Sequence, residues 1–257
     1  MMTRLKNKSV LITGGSSGLG AAAAILMAKE GARITIAARR RTQGEEVVQK
    51  IEAAGGEAMF IQADVTQSSD VEQMVHEVVK RYGRLDCAVN NAGVANPFIA
   101  VADIEEADWN ATIAVNLTGV WLCMKYEIKA MLESGGGSIV NISSVYGQKP
   151  SDIGHSAYSA SKHGVIGLSG SAAIDYAKDG IRVNSVCPGF CHSEMVDPAF
   201  EAHPEFAKAI LNRHSATARL GNADEAAETM AWLCSDASSF VSGASLAVDG
   251  GTTTRLY

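Results

Sequence analysis

Short β-branched runs alternate with segments of helical period along almost all of this 257-residue chain, and that alternation leaves few folds open. Residues 9–13, 33–37, 58–62, 85–89, 138–142, 181–187 and 245–248 read as strands. Between them, residues 19–30, 43–54, 70–82, 105–132, 156–177 and 223–233 read as helices. In the third helix Val71, Met74, Val75, Val78, Val79 and Tyr82 fall on one face. Strands written as continuous apolar runs are buried on both sides, and strands separated by helices pair in parallel. The expected architecture is α/β: a single-domain doubly wound parallel sheet with helices on both faces and right-handed crossovers. With 47% of its residues apolar and 19% charged, the chain can fill one core without dividing in two.

The net charge of −6 is spread along the sequence, and the only basic cluster is Arg39, Arg40 and Arg41. This argues against nucleic acid or an anionic membrane as partner. No run approaches the roughly 20 apolar residues of a membrane helix, and residues 1–7 lead into the first strand without an apolar signal, so a cytoplasmic protein is expected. The five cysteines are odd in number and lie mostly in apolar runs, as reduced core thiols do. Cys187, Cys191 and His192 lack a fourth ligand, so no metal site is expected. Residues 190–218, where Pro198 and Pro204 interrupt any period, read as an irregular lid over a substrate.

The first strand runs into Gly14-Gly15-Ser16-Ser17-Gly18-Leu19-Gly20 at the mouth of the first helix. Glycines let backbone amides approach a diphosphate, which the positive end of the helix then favours. The second strand ends Ala37-Ala38-Arg39-Arg40-Arg41, where a fold selective for NAD offers a carboxylate to the adenosine ribose. Arg39, with Arg40, is expected to pair with a 2′-phosphate instead, which favours NADP(H) and leaves NAD(H) as the alternative. A solvated helix start is the other reading of that run. Asp64 ends the third strand, as an acceptor for the adenine amino group or as a cap for the next helix.

Tyr158 and Lys162 stand four residues apart near a helix start, so both project from one face. A neighbouring cation lowers a phenol from its ordinary pKa near 10 and makes it usable as acid or base. Joined to the glycine turn, Asn90-Asn91-Ala92-Gly93, Asn116, Ile142-Ser143-Ser144, Pro188-Gly189 and Val248-Asp249-Gly250-Gly251, this pair makes the chain resemble the short-chain dehydrogenase/reductase family, in its short-subunit branch. The resemblance runs from Lys8 to about Gly251. It implies a Rossmann-like fold and interconversion of a secondary alcohol and a ketone, with Tyr158 as general acid/base. Lys162 is then expected to lower the tyrosine pKa and hold the nicotinamide ribose, Ser144 to hydrogen-bond the reacting oxygen, and Asn116 to anchor a water. Gly14, Ser16, Ser17, Gly18, Leu19, Gly20, Val65, Asn91, Ala92, Gly93, Pro188 and Gly189 are the implied cofactor contacts. Ser144 precedes Tyr158 by 14 residues, one more than expected, which an extra residue in the loop 147–155 explains most simply; Ser143 is a minor rival for the catalytic hydroxyl.

Candidate pocket walls are Val94, Asn96, Phe98, Tyr146, Gln148, His155, Phe190, His192 and Met195, with Ser144, Tyr146, His155, Tyr158, Phe190 and Met195 as the substrate contacts. Their aromatic, amide and imidazole groups suit a compact or cyclic carbonyl or diol. The competing functions are a non-catalytic dinucleotide-binding redox sensor and an enoyl reductase. Gly164, Gly167, Gly170, Ala172 and Ala173 give the helix at 156–177 a small-residue face of the kind through which members of the family it resembles often assemble, and a homotetramer is expected.

Overall fold

Seven strands, β1 (Ser9–Thr13), β2 (Arg33–Ala38), β3 (Glu57–Gln62), β4 (Cys87–Asn90), β5 (Gly137–Ile142), β6 (Ile181–Pro188) and β7 (Ser245–Val248), form one sheet in the order β3-β2-β1-β4-β5-β6-β7. All its pairings are parallel. The computed structural model describes residues 3–95, 98–194, 196–202, 204–214 and 216–254. The helices are α1 (Gly18–Lys29), α2 (Arg41–Ala53), α3 (Ser68–Tyr82), α4 (Glu106–Ile113), α5 (Gly119–Ser134), α6 (Ser156–Asp175), α7 (Asp197–Ala202), α8 (Pro204–His214) and α9 (Ala223–Cys234).

Side chains alternate across a strand, and this alternation sorts the core into two layers. Leu11, Ala88, Ile139 and Val183 pack with Val71, Met74 and Val78 of α3, Met124 and Ile128 of α5, and Val165 of α6. Val10, Ile12, Ile34, Ile36, Val89 and Val140 pack on the opposite side with Met27 of α1, Ile51 of α2 and Met230 of α9. Each large apolar side chain so buried contributes about 1.5–3 kcal/mol. Because β4 returns to the far side of β1, the strand order reverses between these two strands. In sheets of this kind the ligand crevice opens there, beyond the carboxyl ends.

Two elements differ from the sequence expectation. The helix expected over 105–132 is broken between α4 and α5 by a π turn at Ala114–Thr118, where the Gly119 amide donates to the Ala114 carbonyl. The widened turn presents Asn116 to the segment after β4, and Gly119 leaves room for Val65, whose Cγ2 would lie 2.9 Å from any Cβ there. The lid expected to be irregular over 190–218 contains α7 and α8. Pro198 and Pro204 stand in their first turns, where a missing N–H breaks no helical bond; the prolines begin these helices and do not interrupt one.

Candidate active site

The glycine turn between β1 and α1 closes only because it lacks side chains. Gly14 sits at φ +64°, and a Cβ on Gly20 would lie 2.5 Å from both the Gly14 carbonyl oxygen and Asn91 Nδ2. Asn91 Nδ2 donates to the Thr13 and Gly14 carbonyls, and the Asn91 and Ala92 amides donate to Thr13 Oγ1. The segment after β4 is thereby tied to the turn. Ser17 makes no side-chain cap bond to α1, which leaves first-turn amides to an outside acceptor. Ser193, after β6, closes the other side, 3.5 Å from the position a Cβ on Gly18 would take.

Of the three arginines, Arg40 reaches the turn: its Nη2 lies 2.7 Å from Ser17 Oγ and 3.4 Å from Ser16 Oγ. Arg39 is exposed, with its carbonyl accepting from Gln62, and Arg41 is drawn away to Glu45 and over the Phe60 ring. Asp64 Oδ1 accepts from both the amide and the hydroxyl of Thr66, so one oxygen serves the turn ahead of α3, whose N-cap is Gln67. A glycine cradle with helix amides, flanked by a guanidinium and two hydroxyls, is a donor set that fits a nicotinamide dinucleotide diphosphate.

Tyr158, Ser144 and Lys162 come together at the carboxyl ends of β5 and β6. Ser144 Oγ accepts from the Tyr146 amide at 3.1 Å, which turns the hydroxyl proton outward, and the Ser144 hydroxyl hydrogen-bonds the Tyr158 phenol. Ser143, the rival, is committed elsewhere: its hydroxyl is buried and donates to the Lys162 carbonyl at 2.8 Å. Lys162 Nζ donates to the Ile142 carbonyl at 2.8 Å and stands 5.5 Å from the Tyr158 ring centre. Burial pulls the Lys162 amine down to about 8. Burial also pushes the Tyr158 phenol above its ordinary value, against the pull of the Ser144 bond.

Asn116 is fully buried, and its side chain pairs with the Val94 backbone in both directions, at 2.8 and 2.9 Å. A Cβ on Gly93 would lie 3.4 Å from Asn116 Oδ1 and 3.7 Å from Lys162 Nζ, so the loop after β4 lies against the catalytic lysine.

Aromatic rings wall the space beside Tyr158. Phe98 stacks on His155 with centroids 4.3 Å apart, and His155 lies 5.6 Å from the Tyr158 ring. Across from them Tyr146 meets Phe190 edge-on at 6.1 Å, and Phe190 meets Phe200 of α7 at 5.9 Å. Two expected wall residues point to other work: Gln148 donates to the Ser245 carbonyl, and His192 pairs with Asp197. Asn96 and Met195 lie outside the described residues. Sequence reading missed Phe200, Ser193 and Glu194, which carry no local motif and reach the crevice only when the segment after β6 folds back. Among the described residues no group of three His, Cys, Asp or Glu side chains could hold a metal ion.

A family model described as enoyl-(acyl carrier protein) reductase matches residues 14–253. An A-factor type γ-butyrolactone 1′-reductase (1S-forming) of Streptomyces virginiae is 41% identical over 250 residues, covering 97% of this chain and 96% of its own. The chain belongs to the short-chain dehydrogenase/reductase family. A cyclohexanol dehydrogenase of Acinetobacter sp. strain SE19 is 36% identical to this family member over 258 residues, covering 99% of this chain and 98% of its own. The crystal structure of an actinorhodin polyketide ketoreductase variant with NADPH superposes with a TM-score of 0.92 at 34% identity, covering 99% of this chain and all of that one. As a member of this family, the protein is an NAD(P)-dependent oxidoreductase acting between alcohol and carbonyl groups.

Proposed function

We propose that this dehydrogenase/reductase prefers NADP(H) and acts on compact cyclic secondary alcohols and ketones, with Tyr158 as proton donor and acceptor. The observation that carries this reading is the convergence of Phe98, His155, Tyr146 and Phe190 around the Tyr158–Ser144 pair, which offers flat apolar walls to a ring and one polar point to its oxygen. Arg40, Ser16 and Ser17 would hold the adenosine phosphate, the glycine turn the diphosphate, and Lys162 with Ser193 the nicotinamide half. When bound, the nicotinamide supplies or accepts the hydride at the substrate carbon.

In reduction, Tyr158 Oη gives its proton to the carbonyl oxygen as the new C–H bond forms; in oxidation it takes that proton back. The Ser144 hydroxyl, oriented by the Tyr146 amide, donates to the same oxygen and steadies its developing charge. Because the Asn116 side chain is committed to Val94, the anchor it offers a water is the widened backbone of the π turn. Helices α7 and α8 form the lid of the proposed substrate cleft, through Phe200 on Phe190. Relatives named for a cyclohexanol and a butyrolactone support a cyclic substrate. Five free buried cysteines fit a reducing, cytoplasmic setting. No helix among the described residues is long and apolar enough to cross a membrane.

The test is nicotinamide absorbance with cyclic ketones, cyclic alcohols and acyl thioesters, each against NADP(H) and NAD(H). Cyclic carbonyls should turn over fastest, and Tyr158→Phe should lower kcat by about 10²–10⁴-fold while leaving cofactor binding in place. Faster turnover of acyl thioesters than of any cyclic carbonyl would overturn the substrate reading.

A further inference from the structure

Glu194 stands in the crevice although nothing in the reaction requires an acid there. Its Oε2 lies 2.8 Å from Arg40 Nη2, the same nitrogen that reaches Ser17 Oγ and Ser16 Oγ. Ser17 also hydrogen-bonds the Glu194 carboxylate, and these contacts hold that carboxyl below its ordinary range. The position of Glu194 is fixed from the chain next to it. Val196 and Asp197 donate their amides to Ser193, at the hydroxyl and the carbonyl, and the Ser193 hydroxyl donates to the Cys191 carbonyl. Charge pairing on this side is selective: Arg41 is neutralised by Glu45 on its own helix, and Glu194 is the carboxylate on the guanidinium that touches the glycine turn.

A carboxylate and a phosphate ester present the same chemistry to a guanidinium and a hydroxyl, namely anionic oxygens that accept charge-assisted bonds. Both partners of the Glu194–Arg40 pair are solvent-accessible, at 60% and 46%, so the pair is weak and exchangeable.

We propose that Glu194 is a specificity-determining residue whose carboxylate occupies the Arg40–Ser17 anion site in place of the adenosine 2′-phosphate, so that NADP(H) must displace it and NAD(H) need not. The proposal rests on the NADP(H) reading above. Glu194 thereby narrows the preference for NADP(H) and keeps NAD(H) within reach, a balance that Arg40 alone would tip further.

Calorimetric titration of the wild type, Glu194→Gln and Arg40→Ala with 2′,5′-ADP and with 5′-ADP tests this without turnover. Glu194→Gln should bind 2′,5′-ADP about two- to fivefold tighter than the wild type and 5′-ADP equally well. An unchanged or weaker affinity for 2′,5′-ADP, or an equal gain for both ligands, overturns the proposal. Arg40→Ala separates the two readings. If Glu194→Gln changes nothing but Arg40→Ala abolishes the wild type's preference for 2′,5′-ADP, the NADP(H) reading stands and the role of Glu194 falls. If neither the wild type nor either variant prefers 2′,5′-ADP, both fall.

Discussion

Lys162 shows at the scale of one residue how function strains the fold. Its amine is buried and satisfied by a single carbonyl, so its folded pKa of about 8 lies below the ordinary 10.5. Between these values the unfolded chain binds more protons than the folded one, so this group makes stability rise with pH from about 8 to 10.5. Below pH 8 the full penalty of a buried ammonium is present. Lys162→Met is therefore expected to stabilise the protein at neutral pH by roughly 1–3 kcal/mol while abolishing turnover, and the gain should fade above pH 10. Urea melts of both proteins at several pH values measure it, and a destabilised variant at neutral pH would contradict the argument. The residue types of this site were legible in the sequence, because a tyrosine and a lysine one helical turn apart must share a face. The choice of Ser144 over Ser143 came only with the family resemblance, because spacing carries no record of Ser143 facing the Lys162 carbonyl across the fold.

At the scale of elements, a buried polar chain ties β4, β5, α5 and α6 together. Asn90 Nδ2 donates to Glu127 Oε2 and Asn141 Oδ1, both at 2.9 Å, and Asn141 Nδ2 donates to Ser169 Oγ at 2.8 Å. Glu127 is fully buried with one oxygen lacking a hydrogen bond among the described residues, and burial pushes its carboxyl up to about 8. From the ordinary value of 4.5 up to 8 the folded state holds a proton that the unfolded state has lost, so this group makes stability fall as pH rises through that window. Glu127→Gln should remove the slope and gain roughly 1–3 kcal/mol at pH 7, less the cost of any unpaired amide hydrogen. Thermal melts at pH 5 and pH 8 read this directly: a variant that keeps the wild-type pH slope refutes it. Element limits followed the sequence closely where one period ran unbroken, as in α3. They failed at the π turn, because a helix gaining one residue keeps its apolar spacing on both sides.

For the whole molecule, the outer face of α6 bears on assembly. Gly167, Gly170, Ser171 and Ile174 fall at helical spacing on one stripe, a Cβ at either glycine would meet nothing within 4 Å, and Ile174 is 80% exposed. Trp121 and Leu132 of α5 are also exposed large apolar side chains. Such a flat apolar surface suits close helix packing against another copy, and we propose a homotetramer built partly through it. Light scattering at micromolar concentration should give four chains for the wild type and a smaller species for Gly167→Trp; a monomeric wild type would refute the assembly.

The sequence by itself determined the layered α/β architecture, since periods of two and 3.6 fix which side chains each element must bury. It also determined the glycine turn and the Tyr158–Lys162 pair, whose partners are local. Tertiary structure decided everything that depends on contacts between distant segments: which arginine lies over Ser17, which serine faces Tyr158, that Phe200 meets Phe190, and that Glu194 meets Arg40 across 154 positions of sequence. Local spacing carries no record of such contacts, because loop directions are set by the packing of the elements they join.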